Sequence, residues 1–160
     1  MRASELKDFI YNPIWTSTVL QHFLSGAMAS SASELKTELL YLFPLIFDDN
    51  AIKLLSSANK TSSFYSIFEA KKNSKSKLLL IDLNKKVSAF HKITNEALIA
   101  LGNRVEISLG ECIQISTTSK YSNIRESSMQ KQCKAAFYWG MILAKEDYTT
   151  LLIKLGITEL

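Results

Sequence analysis

The sequence predicts a mainly α-helical domain that carries one β-hairpin, and three observations carry that prediction. Apolar residues recur at helical spacing through most of the chain, as in Trp15, Val19, Phe23 and Leu24, or Cys133, Ala136, Phe137 and Gly140. One stretch alone alternates with a period of two: Val105, Ile107 and Leu109 before Gly110, then Ile113 and Ile115 after it. No linker or repeat divides the 160 residues, so a single domain over 1–160 is expected, with its hairpin near 104–117.

The first helix opens at Tyr11-Asn12-Pro13-Ile14-Trp15, with Asn12 as N-cap and Pro13 at the first helical position, where a missing N–H costs nothing. Its apolar residues cover well over half of the helical wheel, leaving Thr18, Gln21, His22 and Ser25 on the remaining arc. Such a helix must be covered on more than one side, so it is expected at the centre of the core. Ser33 is read as the cap of a second helix through Leu42, which Pro44 should kink or stop. Asp48-Asp49-Asn50 caps a short helix over Ile52 to Leu55, and Thr61-Ser62-Ser63 precedes a helical turn at Phe64 to Phe68.

The basic run Lys71 to Lys77 reads as a solvated loop with a frayed helix start. A helix from Leu78 to about His91 follows, then another from a cap at Thr94 to Gly102. In the hairpin, all five apolar side chains share a face only if Leu109 pairs with Ile113 and Ile107 with Ile115, which leaves Gly110-Glu111-Cys112 as the loop. Cys112 is then expected at the tip, near solvent. A helix with the stripe Met129, Cys133, Ala136, Phe137, Gly140, Met141 and Ala144 comes next, its Ala136 and Gly140 small enough to admit a close neighbour. Asp147 caps the last helix, which stops at Gly156.

With 47% hydrophobic and 21% charged residues the composition is that of a folded domain, and the net charge of +4 is mildly basic. Two cysteines and two histidines form no metal-type spacing, and a reducing, cytoplasmic setting is the default expectation. The N-terminus resembles neither a signal nor a transit peptide, and the apolar run Leu39 to Phe47 is too short to span a bilayer. The five glycines are isolated, so neither GxGxxG nor GxxxxGK(S/T) can be written. His22 reads as a surface or satisfied histidine, and His91 as a residue at a helix end, where a cation suits the dipole. Asp48 and Asp49 read as a cap rather than a catalytic pair, and Cys133 as buried and inert. No catalytic residue, cofactor site or metal site is expected.

A helix from Asn95 to Leu101 followed directly by a two-stranded wing is winged-helix-like in its local order. With Asn95, Glu96 and Asn103 set among Leu98, Ile99 and Leu101, that helix reads bases poorly. Protein contact fits it better.

The ordered landmarks Tyr11 to Trp15, Leu42 to Phe47, Glu96 to Gly102 before a hairpin, Lys134 to Trp139 and Leu155-Gly156-Ile157 resemble the middle component of bacterial three-component ABC systems, the family that looks like the source of the small subunit of Lamassu-type anti-phage defence. The resemblance runs in order over nearly the whole chain, but the segment from Ser56 to Lys77 is more polar and lysine-rich than the family leads one to expect. It implies a non-catalytic adaptor that accompanies a coiled-coil ATPase similar to the SMC and Rad50 class, together with a separate effector, often a nuclease. DNA would be reached through the complex, and no membrane is involved. Under that reading Tyr11, Asn12, Pro13, Trp15, Phe64, Tyr65 and Glu111 are the expected partner contacts, since aromatics are enriched at interface cores. Lys71, Lys72, Lys75 and Lys77 are the expected DNA-backbone contacts. The alternative is a free-standing winged-helix transcription regulator that binds DNA as a homodimer.

Overall fold

Helix α1 (Pro13–Ala29) begins as its sequence dictates: the Asn12 side-chain oxygen accepts the Ile14 N–H at 2.8 Å and Pro13 fills the first turn. The computed structural model describes residues 11–30, 34–70, 74–158 and 160. Every residue of α1 from Val19 to Ala27 is buried, so the polar arc is not a solvent face. It is covered by the polar segment that follows the hairpin: Gln21 donates to the Thr117 carbonyl at 3.0 Å, and Ser25 Oγ accepts the Ser119 N–H at 2.9 Å. Arg104 donates to Ser17 Oγ from the same side, at 2.9 Å.

The region expected as a second α-helix folds differently, and Ser33, its expected cap, lies outside the described residues. Leu35–Lys36 is a short strand, β1, and Thr37–Phe47 is an eleven-residue 3₁₀ helix that runs on through Pro44. Its burial explains the winding. Leu39, Leu42 and Leu45, and likewise Leu40, Phe43 and Ile46, are buried three apart, while the remaining row holds the less buried Glu38, Tyr41 and Phe47 together with buried Pro44. That period matches three residues per turn better than 3.6. Helix α2 (Asp49–Leu55) follows, capped by Asp48 Oδ1 on the Asn50 and Ala51 N–H groups. A single π-helical turn, Tyr65–Glu69, stands where a short helix was expected.

Helix α3 (Ser74–Gly102) is one element of 29 residues, not two. Thr94 is no cap: its side chain is buried in mid-helix and Oγ1 has no partner among the described residues. His91 likewise sits inside the helix, its ring stacked on Tyr41 at 4.1 Å. The reason is continuity of the buried face. Leu79, Leu83, Val87, Thr94, Ala97 and Leu101 follow one another at spacings that return to the same side of a helix, so both halves pack as one.

The hairpin forms in the expected register, with β2 (Ile107–Leu109) antiparallel to β3 (Cys112–Ile115), Ile107 opposite Ile115 and Leu109 opposite Ile113. β1 adds to the other side of β3, giving the order β1-β3-β2. Cys112 therefore lies opposite Lys36, half-buried within β3, and not at a solvent-facing tip. Leu109 also departs from expectation, being 58% exposed although it shares a face with buried Ile113.

Helix α4 (Ser127–Lys145) is the main partner of α1, and their backbones meet directly. A Cβ on Gly140 would stand 1.9 Å from the Phe23 carbonyl oxygen, and one on Gly26 would stand 1.7 Å from that of Phe137. The close approach expected at Gly140 is present, and Gly26 is its reciprocal. The stripe on α4 is buried from Cys133 onward except for half-buried Phe137, whereas Met129 is exposed. Trp139, fully buried, donates its ring N–H to the Leu42 carbonyl at 2.8 Å and so ties α4 to the 3₁₀ helix. Helix α5 (Tyr148–Leu155) starts at Asp147, which accepts the Thr150 N–H, and ends at Gly156 in the left-handed conformation, φ 64°. Among the described residues no helix is long and apolar enough to cross a membrane.

Candidate partner-binding surface

The α1 entrance is a built corner. Tyr11, half-buried, meets Phe47 and Phe90 edge-on at 5.2 and 5.7 Å, and burial raises its phenol above the ordinary pKa. Trp15 is half-buried and donates to Gln132 Oε1 at 3.0 Å, while Gln132 donates onward to the Ile46 carbonyl at 3.3 Å. Asn12 and Pro13 are exposed beside them, and Ile14 is 73% exposed. Two hollows made by described residues flank Tyr11. One of about 90 Å³ is bounded by Pro44, Leu79, Leu83 and Phe90, and an open groove of about 550 Å³ by Ile52, Met129, Lys131 and Gln132.

The aromatic pair Phe64 and Tyr65 is split. Phe64 is fully buried against Phe68 at 5.0 Å, so its ring is core and presents no surface. Tyr65 is 61% exposed on a turn that is pinned at several points. Lys145 donates to the carbonyls of Lys60 and Ser62, Glu146 accepts the Phe64 N–H, and Lys154 pairs with Glu69 at 3.4 Å.

Glu111 is exposed at the hairpin turn and forms an ion pair with Lys36, which holds its carboxyl below the usual range. Thr37 reinforces the link, donating its N–H to the Glu111 carbonyl at 3.0 Å and its hydroxyl to that of Gly110 at 2.6 Å. The hairpin turn is thus tied to the start of the 3₁₀ helix. Sequence reasoning missed this bond because β1, two residues long, leaves no periodic signal. Lys71 and Lys72 lie outside the described residues, and Lys75 and Lys77 are exposed in the first turns of α3. Among the described residues no hydrogen bond or ring contact joins the α1 corner, Tyr65 and Glu111 to one another, while Lys75 and Lys77 stand within about one helical turn of Leu79, which bounds the smaller hollow beside Tyr11.

Among the described residues no His, Cys, Asp and Glu group has the arrangement of a metal site. His22 is fully buried; Nδ1 donates to the Thr18 carbonyl at 2.8 Å, and Nε2 has no partner among the described residues. Both cysteines are free, and burial pushes the Cys133 thiol up to about 12, which keeps it protonated and unreactive. Tyr121 and Tyr138 share a hydroxyl contact of 3.4 Å that, with burial, pushes Tyr138 up to about 12. Several apolar side chains that periodicity assigned no role stand in solvent, among them Ile99 on α3 and Ile153 on α5, 67% and 75% exposed. A family model described as "ABC-three component (ABC-3C) system Middle Component 3" matches residues 2–159. No curated protein and no solved structure matches the chain.

Proposed function

The chain belongs to the middle component 3 family of ABC-three component systems, and from that membership we propose that it is a non-catalytic adaptor. In this reading it bridges a coiled-coil ATPase of the SMC and Rad50 kind to an effector, a nuclease in the favoured version, within a Lamassu-type anti-phage defence complex in the cytoplasm. The family match is the observation that carries the proposal. Ile14, Tyr65, Ile99, Leu109 and Ile153, on five separate elements, each place more than half of a large apolar side chain in water. A bridging subunit needs several contact regions, not one cleft.

Nucleotide hydrolysis and DNA cleavage belong, in this proposal, to the partners. Lys75 and Lys77 offer a contact to DNA backbone at the start of α3, where the helix dipole disfavours cations and a phosphate would offset them. The second reading, a winged-helix transcription regulator, draws on the strand order β1-β3-β2, with the β2–β3 hairpin following a long helix. Against it, Asn95, the best base-reading side chain of α3, is engaged by the Tyr41 hydroxyl at 3.0 Å.

Co-expression with the other components of its system, followed by measurement of particle mass, tests the proposal. Stable association with the ATPase is the expected result. A chain that stays apart from every other component, and binds one duplex with an affinity that falls steeply as salt rises, overturns it in favour of the regulator.

A further inference from the structure

The net charge of the chain is concentrated on one stretch of α3. Between Lys75 and Lys92 the sequence holds five lysines and one acid, Asp82, so this stretch alone carries +4, the net charge of all 160 residues. It occupies about 25 Å of the helix. Leu79, Leu83 and Val87 turn one side of that length into the core. On the far side Ile81 is 51% exposed, and Leu78, one turn before it, is 57% exposed. Lys85 continues the same row one turn on, at i, i+3, i+7 spacing, with Lys77 on one flank and Lys86 on the other.

A second observation concerns pairing. Lys77, Lys85 and Lys86 enter no ion pair among the described residues, although Asp82 lies three and four positions before the last two. Lys92, further along, pairs with Glu96 at 3.8 Å. A helix face that is only solvated commonly alternates charges of both signs. This one instead sets unpaired cations around two neighbouring apolar side chains.

We propose that this face of α3 receives an acidic amphipathic helix of a partner protein, with apolar side chains laid on Leu78 and Ile81 and carboxylates turned toward Lys85 and Lys86. This rests on the adaptor reading and names the chemistry of one contact; Lys75 and Lys77, at the helix start, stay available to phosphate. A helix is the occupant because rows at i, i+3, i+7 spacing interdigitate with rows of the same kind. A second copy suits the face poorly, since the face turned on itself sets lysine against lysine. Nucleic acid would engage the lysines but leave Leu78 and Ile81 against phosphate and sugar. An anionic membrane would engage both, but helices that lie on membranes bury a continuous apolar face, and this one offers two side chains.

The affinity of the full chain for the other components of its system, measured after nuclease treatment at low and at high salt, tests the proposal. The double variant Lys85→Glu, Lys86→Glu should weaken assembly by about tenfold or more, with the loss shrinking as salt rises, while Lys85→Arg, Lys86→Arg should assemble as the original does. The double variant Leu78→Ser, Ile81→Ser should weaken it by about tenfold at both salt concentrations. All four positions are exposed, so the circular dichroism of the free chain should be retained. Assembly that tolerates either the charge reversal or the serine pair overturns this proposal and leaves the adaptor reading standing. A charge reversal that abolishes only the free chain's binding to duplex DNA, or to phosphatidylserine vesicles, assigns the face to nucleic acid or to a membrane and also overturns it. No assembly of the unsubstituted chain overturns the adaptor reading itself. Should a variant lose its fold, chemical acetylation of the unsubstituted chain decides: Lys85 and Lys86 should react more slowly in the complex than alone, and equal rates overturn the proposal.

Discussion

The crossing of α1 with α4 and the outer edge of β2 treat the same chemical groups in opposite ways. At the crossing, backbone meets backbone over Gly26 and Gly140, and on the neighbouring face of α1 the polar side chains Gln21 and Ser25 are matched to the Thr117 carbonyl and the Ser119 amide. At the β2 edge, amides, carbonyls and a leucine are left to solvent within one short strand. The contrast teaches that exposure in this chain is local. A tightly closed crossing and an open rim thus coexist in one chain.

The sharpest way to break the comparison is at the crossing. Gly26→Val forces a side chain onto the Phe137 backbone, and a loss of more than about 4 kcal/mol, a large share of the roughly 5–15 kcal/mol of an ordinary domain, is expected in urea titration. Trp139→Phe keeps the ring in the core but deletes the bond to the Leu42 carbonyl and some volume, and should cost about 2 kcal/mol by the same measurement. Asn12→Ala removes the α1 cap for about 1 kcal/mol.

Acid sharpens the picture at the helix starts. Glu126 accepts the Met129 and Ser128 N–H groups, Asp147 accepts that of Thr150, and these bonds hold both carboxyls below their ordinary pKa. A lowered folded-state pKa means that the contribution is complete above the unfolded value, near pH 4, and is lost as pH falls through the lower, folded one. Urea midpoints should therefore drop below about pH 4, and the Glu126→Gln, Asp147→Asn double variant should show a shallower drop. The smallest effect belongs to the rim. Leu109→Lys should leave the urea midpoint of the free chain within about 0.5 kcal/mol of the original. A large loss there would place Leu109 in the core and erase the contrast.

What could be read before folding followed from rules that act over a few residues. Asn12, Asp48 and Asp147 cap helices because their side chains reach nearby amides, and the hairpin register followed from placing five apolar residues on one face. Where the reading failed, distant contacts had decided. Thr94 has the chemistry of a cap, yet burial against the core carries α3 straight past it. β1 exists because β3 is there to pair with it. The period of three in Leu39, Leu42 and Leu45 was present in the sequence, but it is close enough to 3.6 to pass for an α-helix over so few turns. The candidate contacts were legible as exposed or aromatic positions in Tyr65 and Pro13. Leu109 could not be found that way, because only the sheet shows which edge is bare.

The unbroken run of α3 has a geometric consequence. Twenty-nine residues at about 1.5 Å each make a rod of about 43 Å, with Lys75 and Lys77 at one end and the approach to the hairpin at the other. Anything gripping the two ends is therefore held at a set span, and tilting one tilts the other. The helix serves as a measuring stick, and a proline placed at exposed Ser88 would bend it at the middle while the crossing of α1 and α4 stayed whole.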